Sequence, residues 1–282
     1  MKITFLGTAA ATGMPLPFCG CETCRQARRL GGKDIRRRAC LLINEELLID
    51  LGPDAPAACS RYAIDLSKIR YLLQTHAHSD HFDAGHFITR HPDYAVKEVS
   101  PLLLAASPAT LRAMNEALRW EDGGADLFSS DFQRLLRFSL QPVSPFETIR
   151  LGDYTVTGLD ALHDARQQAL IYLIERDKKR LLYGTDLCRL SEENFRWLKG
   201  RPLDLLILDQ TYGEGHNAGG HLDAGQVIKT LHRLAAQGSL NSRSRCYVTH
   251  LSHEGNPVHR QLQRQTKSHG YSAAYDGLTL HI

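Results

Sequence analysis

Short apolar runs of strand length recur along the chain, each closed by polar residues or glycine. Residues 3–6 end at Gly7, and residues 71–73 run into Thr75-His76. Cys40–Ile43 and residues 47–51 flank Asn44-Glu45-Glu46, which reads as a hairpin. Residues 169–174 and 181–183 flank a charged turn at 175–180, and residues 203–208, 246–249 and 278–282 complete the set.

Helical spacing falls between these runs. Ser107-Pro108 is a good opening, with serine as cap and proline in the first turn, and Leu111, Met114 and Leu118 then recur on one face. Asp223 opens a second helix with Val227, Ile228, Leu231 and Leu234 on one side. A third is predicted over 191–198, with Glu192 and Glu193 favourably placed in its first turn. Hairpins, a helical stretch and hairpins again suggest two similar halves. Two facing sheets with helices outside make an α/β four-layer αββα sandwich. We read residues 1–282 as a single domain, with a lid insertion expected within 91–150.

Composition narrows the class. In 282 residues, 43% are hydrophobic and 23% charged, which excludes wholesale disorder. No run approaches the length of a membrane span, so no membrane partner is expected. Gly7 and Thr8 interrupt the first apolar run too early for a signal peptide, so the expected location is cytoplasmic. A net charge of +3 gives no support for nucleic acid as partner and does not forbid a small anionic substrate.

Seven cysteines form no even disulfide framework, and three of them, Cys19, Cys21 and Cys24, crowd together. Close spacing of this kind points to metal. The denser signal is Thr75-His76-Ala77-His78-Ser79-Asp80-His81. After a strand, i and i+2 side chains project to the same side, so His76 and His78 can grip one ion. Asp80 and His81 then face a neighbouring space. Imidazole and carboxylate ligands of this kind suit zinc, manganese or iron. Three further candidates lie after apolar strands: His163, Asp186 and His250. Taken singly, Asp186 reads equally as a turn cap and His163 as a surface residue.

These residues carry a resemblance. With Phe5-Leu6-Gly7-Thr8, Leu48-Ile49-Asp50-Leu51-Gly52, Tyr183-Gly184-Thr185-Asp186, Val248-Thr249-His250 and Tyr275-Asp276-Gly277, the chain resembles the metallo-β-lactamase superfamily of hydrolases. An aspartate at 186 and the early C-x-C-x-x-C bring it nearest to the PhnP-like cyclic phosphodiesterases of that superfamily. The resemblance implies one ion at His76, His78 and His163, and a second at Asp80, His81 and His250, with Asp186 bridging. It implies that Asp50 orients a ligand histidine, although a strand-end turn residue is an equal reading. It also implies a structural zinc on Cys19, Cys21, Cys24 and His253.

The implied activity is hydrolysis of a small phosphodiester, cyclic ribose or nucleotide phosphates included, by a hydroxide bridging two divalent ions. His221 follows Gly219-Gly220 just before a helix and is the candidate general acid, grouped with Asp80 as catalytic; His216 competes for the role. A protein of the pyrroloquinoline quinone biosynthesis type and a tRNA-processing nuclease are the alternatives, and a homodimer is left open.

Overall fold

The computed structural model describes residues 1–95, 97, 99–216 and 219–282. Two seven-stranded sheets face one another. The first holds β1 (Lys2–Gly7), β2 (Cys40–Ile43), β3 (Leu47–Ile49), β4 (Tyr71–Leu73), β5 (Leu102–Ala106) and β6 (Phe138–Pro142). The second holds β7 (Thr148–Leu151), β8 (Tyr154–Asp160), β9 (Leu170–Arg176), β10 (Lys179–Gly184), β11 (Leu205–Asp209), β12 (Arg245–Thr249) and β13 (Ser272–Ala273). The chain then returns to the first sheet as β14 (Thr279–His281), antiparallel to β1. The spatial orders are β14-β1-β2-β3-β4-β5-β6 and β13-β12-β11-β10-β9-β8-β7.

Period-2 alternation builds the layers. Leu41 and Ile43 of β2, Leu181 and Tyr183 of β10, and Leu205 and Ile207 of β11 point into one core between the sheets. Their neighbours Leu42, Leu182, Leu206 and Leu208 point outward and are covered by helices. Strands buried on both faces read as continuous apolar runs, which is why these segments are legible in sequence.

The helices are α1 (Glu22–Leu30), α2 (Ala55–Tyr62), α3 (Ala84–Ile88), α4 (Pro108–Glu121), α5 (Ser130–Leu136), α6 (Glu192–Leu198), α7 (Ala224–Ala236) and α8 (His259–Ser268). Phe87, Leu111, Met114, Leu118 and Leu136 cover the first sheet, whereas Phe195, Leu198, Val227, Leu231, Leu234 and Leu262 cover the second. Ser107, Ser191 and Asp223 cap α4, α6 and α7, and Asp223 completes a capping box with Gln226. The stretch 91–150, where a lid is expected, supplies β5, α4, α5 and β6; residues 96 and 98 of it lie outside the described residues. No described helix is long and apolar enough to cross a membrane.

Strands β3, β4 and β5 run parallel, as do β10, β11, β12 and β13. Their carboxyl ends therefore open at common edges, where chemistry gathers in α/β sheets.

Candidate metal centre

Strand ends from both sheets deliver the histidines and aspartates. The loop after β4 carries His76, His78, Asp80 and His81. His163 follows β8, Asp186 follows β10 and His250 follows β12. Asp50, Leu162, Asp186 and His250 all turn with φ between 48° and 64°, a region that non-glycine residues rarely occupy. Loops that leave a strand so sharply are held by their surroundings. Gly52 permits the approach of the 76–81 loop, since a Cβ there would lie 2.2 Å from the Asp80 carbonyl oxygen.

The structure brings the expected residues into two groups. His76, His78 and His163 form one, and Asp80, His81, Asp186 and His250 the other, with donor atoms of each group within 4.8 Å of one another. Asp186 lies between them. Its Oδ1 is 3.5 Å from His163 Nε2 and 4.0 Å from His76 Nε2. Its Oδ2 is 2.8 Å from His81 Nε2 and 3.1 Å from His250 Nε2. One carboxylate thus presents a different oxygen to each group.

Two buried carboxylates fix which ring nitrogens face inward. Asp50 accepts from the Thr75 amide and from Gln74 Nε2, and also from the Thr75 hydroxyl. His81 Nδ1 lies 2.7 Å from Asp50 and donates to it. Thr75 has spent its only proton on Asp50, so it can only accept from His76 Nδ1 at 3.0 Å. Asp209 repeats the scheme in the second sheet. Thr211 donates to it at 2.9 Å and accepts from His250 Nδ1 at 2.7 Å. His163 Nδ1 donates to the Gly220 carbonyl at 3.1 Å. In His76, His81, His163 and His250 the nitrogen left facing the group is Nε2, the arrangement by which outer partners orient metal ligands.

Electrostatics agree with a cation-binding site. Burial and the neighbouring His81 push His76 well below the ordinary histidine range. Burial opposes charge on His81, yet Asp186, Asp80 and Asp50 together raise it well above that range. Burial alone would raise Asp186, but His250 and His81 hold it well below the usual carboxylate value. His81 Nε2 and His250 Nε2 are buried and make no aligned hydrogen bond, although carboxylate oxygens stand close by. Imidazole nitrogens and carboxylates drawn together without hydrogen-bond alignment fit ions shared between them, and the donor set suits zinc, manganese or iron.

His221 stands at the same mouth. Its Nδ1 lies 2.9 Å from Asp209 Oδ2 and 3.9 Å from Asp186 Oδ1. Burial disfavours its charged form, but the bond to Asp209 and the charges of Asp209, Asp186 and Asp80 raise it to about 9. His216 is exposed, with Nδ1 3.2 Å from the Glu214 carbonyl, and belongs to none of the ligand groups among the described residues.

A separate group joins Cys19, Cys21, Cys24 and His253. His253 Nδ1 is 3.5 Å from Cys21 Sγ and 3.7 Å from Cys19 Sγ. Burial works against the Cys21 thiolate, but the Cys24 amide and the neighbouring Cys19 and His253 lower it to about 6. Three sulfurs and one imidazole make the closed set that a structural zinc takes. The loop after His250 is stitched to the loop after β11. Asn256 Nδ2 donates to the Thr211 carbonyl at 2.9 Å, and Ser252 Oγ donates to it at 2.7 Å. Gly213 and Gly255 allow the contact, because a Cβ on Gly213 would lie 1.9 Å from the Gly255 carbonyl oxygen.

Sequence reasoning missed Thr75, Thr211, Asp209 and Asp164. Asp209 ends an apolar strand just as Asp50 and Asp186 follow theirs, a signal open to reading. Asp164, next to His163, is the partner of His78 Nε2 at 3.1 Å.

With this fold and site in view, comparison with known proteins gives the class. The Beta-lactamase superfamily domain matches residues 45–251, and the chain belongs to that family. No curated protein sequence matches the chain. Among solved structures, the zinc-bound PqqB of Methylobacterium extorquens is similar with a TM-score of 0.77 at 21% identity, covering 100% of both chains. A diphosphatase of the PhnP family is similar with a TM-score of 0.71 at 22% identity, covering 100% of this chain and 97% of that one. The short form of human tRNase Z gives 0.66 at 16% identity, covering 100% and 99%. At these identities the likeness establishes the metallo-β-lactamase αββα sandwich.

Proposed function

We propose that this chain is a metal-dependent phosphodiesterase acting on a small phosphodiester, cyclic ribose and nucleotide phosphates among the candidates. His76, His78 and His163 would hold one divalent ion, and Asp80, His81 and His250 a second, with Asp186 between them. Bound divalent ions supply Lewis acidity and lower the pKa of water to about 7, which gives a nucleophile at neutral pH.

The chain's own residues supply the rest. An alkoxide is a poor leaving group until it receives a proton. His221 donates Nδ1–H to Asp209 and carries its second proton on Nε2, the one it delivers to the departing oxygen. Asp209 keeps the imidazole charged and oriented, much as it holds His250 through Thr211. The observation that carries the reading is this placement of a carboxylate-backed imidazole within 3.9 Å of Asp186, between the two ligand groups. Cys19, Cys21, Cys24 and His253 would hold a structural zinc that braces the loop behind His250.

The test is metal analysis of the purified chain together with turnover of bis(p-nitrophenyl) phosphate, cyclic ribose phosphates and nucleotide 2′,3′-cyclic phosphates. Metal-dependent cleavage of at least one is expected. A metal-loaded chain that cleaves none of them rejects the assignment.

A further inference from the structure

His78 differs from the other ligand candidates of the 76–81 loop. The side chains of His76 and His81 are 0% exposed, whereas that of His78 is 37% exposed. Packing against the rings of His76 and His163 therefore fixes its ring less fully than burial fixes theirs. Its Nδ1 lies 2.9 Å from His76 Nε2, inside the ligand group, and its Nε2 meets Asp164 Oδ2 at 3.1 Å.

Asp164 is itself clamped. Arg166 grips it from two nitrogens, Nε to Oδ1 at 3.2 Å and Nη2 to Oδ2 at 3.0 Å. The Arg166 amide adds a third bond to Oδ1 at 2.9 Å. The carboxylate is 9% exposed while Arg166 reaches into solvent. The loop bearing Asp164 is also tied to the loop bearing His78. The Ala77 amide donates to Gln167 Oε1 at 2.6 Å, and the Leu170 amide donates to the Thr75 carbonyl at 3.0 Å. Ser107 and Thr110, at the start of α4, donate to the Gln167 carbonyl at 2.7 and 2.9 Å. A loop of the second half thus grips a ligand loop of the first.

We propose that Asp164, clamped by Arg166, is the positioning residue of His78: it takes the Nε2 proton, so that Nδ1 is the nitrogen offered to an ion in the His76–His78–His163 group. The bidentate guanidinium leaves the carboxylate in one orientation, and a half-buried imidazole gains the definition that full burial gives its neighbours. This assignment rests on the metal-centre reading and adds to it a residue that ties ion binding to the junction of the two halves.

The test uses the whole chain, stripped of metal and titrated with cobalt(II), whose absorption separates a thiolate-bound ion from ions held by imidazole and carboxylate. Wild type should take one of the first kind and a pair of the second. Asp164→Ala should weaken one member of the pair by about 10- to 100-fold while sparing its neighbour and the thiolate-bound ion. Asp164→Asn retains an acceptor oxygen and should lose less. Wild-type affinity for the pair in Asp164→Ala overturns the assignment, as does an Asn variant no better than Ala. If Asp164→Ala does not fold, Arg166→Gln frees the carboxylate without removing it. Arg166→Gln should weaken the same ion by a smaller factor, and no change overturns the proposal. Wild-type protein that takes cobalt only at the thiolates removes the metal-centre reading itself, and this assignment with it.

Discussion

Thr211 Oγ1 stands 2.7 Å from His250 Nδ1, although the two residues are 39 positions apart in the chain. The hydroxyl gives its proton to Asp209 and so can serve His250 only as an acceptor. Thr75 does the same for His76, with Asp50 behind it. Each sheet thus contributes one buried carboxylate and one threonine that together hold an imidazole in a single tautomer. The site is built as two similar halves, as the fold is.

Thr211→Val tests that relationship with little change of shape. The methyl that replaces the hydroxyl cannot accept from His250, and Asp209 loses one donor. We expect ion affinity at the His250 group to fall by about 10- to 100-fold. Loss of a buried hydrogen bond should cost about 1–3 kcal/mol of stability. Metal titration and thermal melting measure the two effects separately. Unchanged affinity would show that packing alone sets the His250 ring.

His81 should make ion binding depend on pH. Without an ion, Asp186, Asp80 and Asp50 hold a proton on this ring well above the ordinary histidine pH. An ion taking Nε2 must expel that proton. Affinity should therefore rise with pH through the neutral range and fall toward acid. Calorimetric titration in buffers of different ionisation enthalpy should report a proton released on binding at neutral pH. Proton uptake, or none exchanged, would contradict the charge state given to His81.

How far the sequence carries this far depends on whether a residue's role is local. Strands such as β10 and β11 are legible because both of their faces are buried, and α4, α6 and α7 because Ser107, Ser191 and Asp223 announce them. By contrast, α8 is mostly polar, with Leu262 its one buried large apolar residue, so no apolar stripe marks it. β5 is an apolar run of leucine and alanine within a stretch read as an insertion. Although none is informative alone, the ion-binding candidates are legible because four crowd into residues 76–81 after one strand and three more share a place after apolar strands. Thr75 and Thr211 are not, since a hydroxyl matters here only through the contacts that tertiary structure makes for it.

Gly52→Ala should damage the centre without touching a ligand. The added methyl would stand 2.2 Å from the Asp80 carbonyl, a backbone atom that cannot swing aside as a side chain would. Overpacking of this kind costs typically about 1–3 kcal/mol, and more where backbone must move. We expect a lower melting temperature together with loss of ions from the Asp80–His81 group, while the cysteine-bound ion stays. A variant with wild-type ion content and stability would mean that the 76–81 loop is less constrained than its contacts indicate.

The general-acid assignment is tested by leaving group and by pH together. His221→Ala should lower turnover of an alkyl phosphodiester by about 100- to 10,000-fold. The same change should largely spare a p-nitrophenyl ester, whose leaving group departs without a proton. Asp209→Asn should move the pH profile. The acid must be protonated to act, so turnover of the alkyl ester is lost as pH rises through the His221 pKa. Burial lowers that value in the ion-free chain, but the bond to Asp209 and its charge raise it. Without the Asp209 charge, the value falls, and the alkaline limb should shift to lower pH. A limb that stays in place in Asp209→Asn, or equal losses for both esters in His221→Ala, would assign the proton to another donor.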